Sequence, residues 1–230
     1  MLNISKRLKV LADYVLPGSI IADIGTDHGY LPVYLVLQGI SPRAVAADIN
    51  AGPLAAARNN VIQYQVADRV DLRLGNGLQV LKPGEVDTII IAGMGGGTIR
   101  DILQAAPLVA GQARRLILQP MADEDDLRQF LVTQGWRLLD EELLLEDNRL
   151  YLIIVAERGQ EEIAEPLLLE IGPRLWEKKH PLLPELLLRL QQKYQRVLAG
   201  LNKSNQSAAQ QKATQIKEKL SNLEAFIKAY

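Results

Sequence analysis

The sequence predicts an α/β protein, a mostly parallel seven-stranded sheet followed by a C-terminal α-helical hairpin of coiled-coil type. Three observations carry that prediction. Residues 19–30 run from an apolar, strand-length segment through a Gly-x-Asp-x-Gly turn, and a helix-compatible stretch, Leu31 to Leu37, follows. That is the strand-turn-helix that opens a nucleotide-binding unit. Four more strand-like segments follow, and two alternating segments around an Asp-Asn turn close the series. Beyond Gly159 the pattern is helical throughout. The expected division is residues 1–160 for the sheet domain and 161–230 for the helical one.

Composition narrows the class. At 230 residues the chain holds one domain of about 150 residues with a substantial core, plus an appendage. A hydrophobic content of 48% with a mean hydropathy of zero describes a globular protein. No apolar run reaches about 18 residues, and Lys6, Arg7 and Lys9 interrupt Leu2 to Val10. Neither a membrane span nor a signal peptide is therefore expected. The absence of cysteine excludes disulfides, a cysteine nucleophile and a thiolate metal site, and fits a cytoplasmic protein. His28 and His180 lie too far apart in sequence to have ligand-like spacing, so no metal is expected. Charge is uneven: residues 181–230 carry eight basic side chains against three acids. A basic tail on an acidic body suits a polyanion partner, although a solvated helical face has the same composition.

The elements follow in order. Asn3 or Ser5 caps a short helix in which Leu8, Leu11 and Val15 recur at helical spacing, and Pro17-Gly18 ends it. Ser19 to Ile24 is the first strand. In the turn beyond it, Gly25 and Gly29 permit a tight bend and close approach of a ligand. The dinucleotide fingerprint Gly-x-Gly-x-x-Gly is broken, because Asp27 and Tyr30 stand where its second and third glycines belong. A carboxylate about 4 Å from a phosphate charge is repelled by about 4 kcal/mol at an effective dielectric of about 20. NAD and ATP are thereby disfavoured. S-adenosylmethionine, with a sulfonium, an ammonium and a single carboxylate, suits an acid-lined turn in which Asp23 faces the ammonium and the turn amides face the carboxylate.

Arg43 to Asp48 is the second strand. Asp48 follows Gly29 by 19 residues, near the spacing of about 20 expected for an acid that accepts ribose hydroxyls. The other reading of Asp48 is a helix cap ahead of Pro53. A helix from Gly52 to Gln65 leads to the strand Arg69 to Leu74 and then to Gly75-Asn76-Gly77. Asn76 is positioned to read an adenine amino group through its carbonyl, or is an ordinary Gly-Asn-Gly turn. The β-branched run from Glu85 to Ala92 reads as a parallel strand buried on both faces. Gly93-Met94-Gly95-Gly96-Gly97 then reads as a loop of nearly bare backbone with one exposed methionine, able to hold a flat base against a methyl donor. A flexible connection is the alternative.

Arg115 to Pro120 is the fifth strand. The acids Asp123 to Asp126 are expected in the first turn of a helix, Asp125 to Gln134, where they complement its dipole, and Gly135 stops it. Trp136 to Leu145 and Leu150 to Glu157 form a hairpin around Glu146-Asp-Asn-Arg149, which makes one strand of the seven antiparallel. Pro166, Pro173, Pro181 and Pro184 break the next stretch into short helical pieces. Leu183, Leu187, Leu190, Tyr194, Val197 and Leu201, and then Ala213, Ile216, Leu220, Leu223 and Ile227, recur every three or four residues on either side of the polar Asn202 to Ser207. These form the two arms of the hairpin.

Five ordered motifs, Ile21–Pro32, Asp48-Ile-Asn-x-Gly-Pro53, Gly75–Leu78, Ala92–Gly96 and Leu116–Pro120, resemble the bacterial tRNA (adenine-22-N1)-methyltransferases. The resemblance covers roughly residues 1–160 and extends in kind to the helical pair. It implies a class I, Rossmann-like methyltransferase fold, S-adenosylmethionine as donor, and the D-arm adenine of tRNA as acceptor. On this reading Asp23, Gly25, Gly29, Asp48, Ile49, Asn76, Gly77 and Gly93 bind the cofactor, and Asp27, His28 and Met94 stand at the acceptor. The family usually has Asp in place of Asn76, which keeps an acceptor but loses a charge, and Asn in place of Met121, which loses an amide. The expected partner is tRNA, with no membrane, no metal and a monomeric chain.

Adenine N1 has an in-plane lone pair, so the expected work of the protein is to position, desolvate and unpair the base rather than to deprotonate it. Asp27, His28 and Tyr30 lie just past the cofactor turn, placed to orient the acceptor or to balance a cationic product. Two alternatives stay open on the residues alone. One is a small-molecule acceptor, and the other is an RNA-binding module that holds the cofactor without transferring its methyl group.

Overall fold

In the computed structural model, which describes residues 2–203 and 206–230, local signals set the elements and the sheet then collects them. The first helix, α1 (Lys6–Asp13), starts where the Ser5 hydroxyl accepts the Leu8 amide. The Glu146 carboxylate also accepts the Lys6 amide at 2.6 Å, so α1 is anchored to a segment far along the chain. Next come β1 (Ile21–Ile24), α2 (Tyr30–Leu37), β2 (Ala44–Asp48), α3 (Ala51–Gln63) and β3 (Val70–Leu74). A single 3-10 turn, Gly77–Val80, precedes β4 (Thr88–Met94). After it lie α4 (Gly96–Ala105), α5 (Pro107–Gln112), β5 (Arg115–Pro120), α6 (Glu124–Thr133), β6 (Trp136–Glu146) and β7 (Arg149–Arg158).

The strands form one seven-stranded sheet in the order β3-β2-β1-β4-β5-β7-β6, with β7 antiparallel to its neighbours β5 and β6. Every residue of β1 is buried, as are Ile89, Ile90 and Ile91 of β4 and Leu116, Ile117 and Leu118 of β5. Such central strands, covered on both faces, need continuous apolar runs rather than alternation. The order reverses at β1, whose neighbours are β2 on one side and β4 on the other. Parallel sheets of this kind bind ligands outside the carboxyl ends of the strands at that reversal. At the other end of the sheet, Asp147 and Asn148 take left-handed φ values of 49° and 59°, the two-residue turn that matches the twist of a hairpin.

The chain divides into two compact units, Met1–Glu162 and Ile163–Tyr230. The second unit contains α7 (Leu167–Ile171), α8 (Pro173–Glu177), α9 (Leu183–Leu201) and α10 (Ser207–Ala229). Helices α9 and α10 pack together with Leu183, Leu187, Leu190, Tyr194, Ala213 and Leu223 buried. Val197 and Ile227, expected in the same seam, are 36% and 37% exposed. Of the connection Asn202 to Ser207, Ser204 and Asn205 lie outside the described residues.

Two sequence expectations are corrected. Gly93 to Gly97 is not one bare loop, because β4 runs to Met94, Gly95 is the N-cap, and α4 begins at Gly96. Gly96 is there for packing: a Cβ on it would lie 2.3 Å from the Asp123 carbonyl oxygen, and its amide donates to the Ala122 carbonyl. Nor is Met94 an exposed side chain. It is half-buried, with its terminal methyl over Gly25.

A candidate cofactor and acceptor site

At the carboxyl end of β1 the chain turns through Gly25 and Gly29, both at positive φ, 80° and 67°. The glycine requirement comes first from these φ values, which L side chains rarely adopt, and at Gly29 neighbouring protein atoms add to it. A Cβ on Gly25 would stand 2.2 Å from the Met94 methyl, and one on Gly29 would stand 3.0 Å from the Ala57 Cβ of α3. The Gly25 and Thr26 amides donate to the Ala47 carbonyl of β2, and the Asn60 side chain donates to the His28 carbonyl. The turn is therefore held from β2, α3 and β4 at once.

Beside it lies a cleft of about 150 Å³, lined by Arg7, Leu8, Asp23, Ala92 and the turn from Gly25 to Leu31. Asp23 is buried, and burial pushes its carboxyl up to about 6. The neighbouring Asp48 charge adds to that rise, while the Thr26 hydroxyl and the Arg7 guanidinium oppose it. The hydroxyl faces the carboxyl without a hydrogen bond of regular geometry. Asp27 and His28 are exposed at the rim with Oδ2 and Nε2 3.5 Å apart. The His28 and Tyr30 rings stack with centroids 5.5 Å apart and planes 26° from parallel.

The cleft thus brings together Asp23, Gly25, Asp27, His28 and Gly29. It does not include Asp48, Ile49, Asn76, Gly77, Gly93 or Met94, which lie at the ends of the adjacent strands β2, β3 and β4. Asp48 Oδ1 accepts the Asn50 amide at 2.7 Å, and the Gly75 amide donates to the Asp48 carbonyl. Ile49 is 62% exposed. Asn76 is exposed and its side chain does not cap the 3-10 turn it precedes. Gly77, at φ 54°, packs against Ile102. Gly93, at φ 78°, occupies the irregularity between Ala92 and Met94 where β4 shifts register against β5.

Sequence reasoning missed two residues. Arg7 reaches the cleft from α1, where its Nη1 donates to Gln119 Oε1 at 2.8 Å and its guanidinium lies 5.4 Å from the Tyr151 ring centroid. Gln119, fully buried at the end of β5, also accepts the Gly93 amide. Neither has a local signature, since Arg7 reads as one of three cations on a short helix. Among the described residues no group of three or more His, Asp or Glu side chains is arranged to hold a metal. No helix among them is long and apolar enough to cross a membrane.

The donor set fits a zwitterionic nucleoside: Asp23, buried in the cleft, and Asp48, half-buried at the end of the adjacent strand, with Arg7 as the one Lys or Arg among the described residues lining the cleft. A parallel sheet with a single antiparallel strand, carrying such a cleft at the reversal point, defines the methyltransferase class. The family model described as "Methyltransferase domain" matches residues 4–154. The tRNA (adenine(22)-N(1))-methyltransferase of Bacillus subtilis is 41% identical over 163 residues, 71% of this chain and 68% of that one. The chain belongs to the tRNA (adenine(22)-N(1))-methyltransferase family. Among solved structures, the B. subtilis m1A22 tRNA methyltransferase TrmK superposes with a TM-score of 0.92 at 33% identity, covering 99% of this chain and 100% of that one. M. capricolum TrmK, in complex with the cofactor product S-adenosyl-homocysteine, has a TM-score of 0.85 at 28% identity, with 98% of each chain covered.

Proposed function

We propose that this chain methylates N1 of adenine 22 in the D-arm of bacterial tRNA, using S-adenosylmethionine, in the cytoplasm. The observation that carries the proposal is the cleft at the end of β1, where a buried acid and the Arg7 guanidinium face one space in a chain of this family. Asp23 holds the ammonium, and Arg7 takes the carboxylate in a charge-assisted pair. Asp48 accepts the ribose hydroxyls through Oδ2 while Asn50 fixes its other oxygen. Asn76 offers a free amide to the adenine ring, and Ile49 and Gly77 flank it. When bound, S-adenosylmethionine supplies an electrophilic methyl group to the adenine N1 lone pair.

The remaining residues act on the acceptor. The stacked His28 and Tyr30 rings present an aromatic face at the rim, on which an unpaired base gains about 1–3 kcal/mol of stacking. Asp27 places a carboxylate where N1-methyladenine develops its positive charge. Met94 and the Gly93 and Gly95 backbone wall the acceptor side. The helical unit supplies cations to the tRNA backbone. Incubation with radiolabelled S-adenosylmethionine and bulk bacterial tRNA, followed by nucleoside analysis, is expected to yield 1-methyladenosine at position 22. Label in any other nucleoside, or none, would overturn the proposal.

A further inference from the structure

We propose that Gln119 is a positioning residue: its neutral side-chain amide holds Arg7 toward the donor carboxylate and sets the Gly93 backbone on the acceptor side. The inference rests on the cofactor reading above and adds a residue that does not line the cleft. Gln119 is fully buried, and each of its polar atoms has two partners. Oε1 accepts Arg7 Nη1 at 2.8 Å and the Gly93 amide at 3.2 Å. Nε2 donates to the Pro120 carbonyl at 2.8 Å and to Met121 Sδ at 3.2 Å. One amide therefore ties α1 to the register shift that carries Met94 over Gly25.

The chemistry of position 119 follows from its neutrality. A neutral acceptor orients the guanidinium without cancelling its charge, so Arg7 keeps a full positive charge for an incoming carboxylate. Glutamate at the same place would have nearly the same shape, but its charge would pair with Arg7 and compete with that carboxylate. It would also lose the two donations to Pro120 and Met121.

The test uses two ligands that differ in the amino-acid portion: S-adenosylhomocysteine, and 5′-methylthioadenosine, which lacks the ammonium and carboxylate. Calorimetry on the full chain is expected to show Gln119→Glu weakening S-adenosylhomocysteine at least tenfold while 5′-methylthioadenosine changes less than twofold. Arg7→Ala should show the same selectivity, and Gln119→Glu added to Arg7→Ala should cost nothing further for S-adenosylhomocysteine. Equal weakening of both ligands by Gln119→Glu would reduce Gln119 to a packing residue and overturn the inference, as would an additive double variant or an unchanged affinity. A wild-type chain that binds neither ligand would overturn the cofactor reading itself, and this inference with it.

Discussion

Asp23 is where one residue's environment reaches furthest. Only 7% exposed, its carboxyl is raised by burial from 3.8 to about 6, so the folded chain binds its proton more tightly than the unfolded chain does. No stability difference arises below about pH 4, where both states are protonated. The fold loses stability as the pH climbs toward 6 and bears the whole penalty above it, about 3 kcal/mol for two pKa units. Asp23→Asn should therefore raise the melting temperature at pH 7.5, by an amount that shrinks toward pH 5, while abolishing cofactor binding. Wild-type affinity for S-adenosylhomocysteine should fall about tenfold from pH 7 to pH 5 as Asp23 takes up its proton. Melting curves across this range, with calorimetry alongside, check both statements. A variant that melts lower than wild type at pH 7.5 would refute the cost assigned to Asp23.

Among the elements, the start of α4 separates two glycines that look alike in sequence. Gly95 has extended backbone, and a Cβ on it would meet nothing nearer than Thr98 Oγ1 at 3.9 Å, whereas one on Gly96 would strike the Asp123 carbonyl at 2.3 Å. Gly95→Val should fold and bind the cofactor yet lose methyl transfer, by crowding the acceptor side. Gly96→Val should lose thermal stability, because the approach between α4 and the entry to α6 must open. Circular dichroism and calorimetry distinguish the two outcomes. Helix α6 is tied to β6 by Arg128 and Glu141, both fully buried, with Nε and Oε1 2.6 Å apart. Removing one member of such a pair strands a charge in the core and costs about 3–5 kcal/mol. Arg128→Met should lose that much in denaturant melts, and adding Glu141→Leu should restore most of it.

For the whole molecule, the question is what the second unit adds to a cleft that belongs to the first. Lys193, Arg196, Lys212 and Lys217 are exposed on α9 and α10, away from the buried seam residues. If they neutralise tRNA phosphates, each releases counterions and steepens the fall of affinity with salt. Replacing all four with Gln should leave cofactor affinity and melting temperature unchanged, weaken tRNA binding severalfold and flatten its salt slope. Filter binding at three salt concentrations measures this. An unchanged slope would move the RNA contact to the first unit.

Much of this architecture was legible because local patterns encode local structure. The β-branched run of β4, the Asp-Asn hairpin turn, the Gly-x-Asp-x-Gly turn and the three-and-four spacing of α9 and α10 each report which face of a segment is apolar and where the chain must bend. The same patterns singled out Asp23 at the end of β1 and Asp27, His28 and Gly29 in the turn just beyond it, neighbours in the chain that line one cleft. Arg7 and Gln119 were not legible, being 112 residues apart and joined only once α1 has packed beside β5. The tight turn at Gly25 and Gly29 was legible, and their φ values of 80° and 67° bear it out, but not the packing at Gly29 and Gly96, which make room for Ala57 and the Asp123 carbonyl, neighbours that no local spacing names. Start of α4 was hidden by the glycines that permit it, since a run of Gly reads as loop wherever packing is unknown. By itself, then, the sequence determined the elements, the glycine turn after β1 and the family, all of which depend on residues close together in the chain. The tertiary structure alone decided which charges face one another across the cleft and what burial does to Asp23, because both depend on strand order and on packing between distant segments.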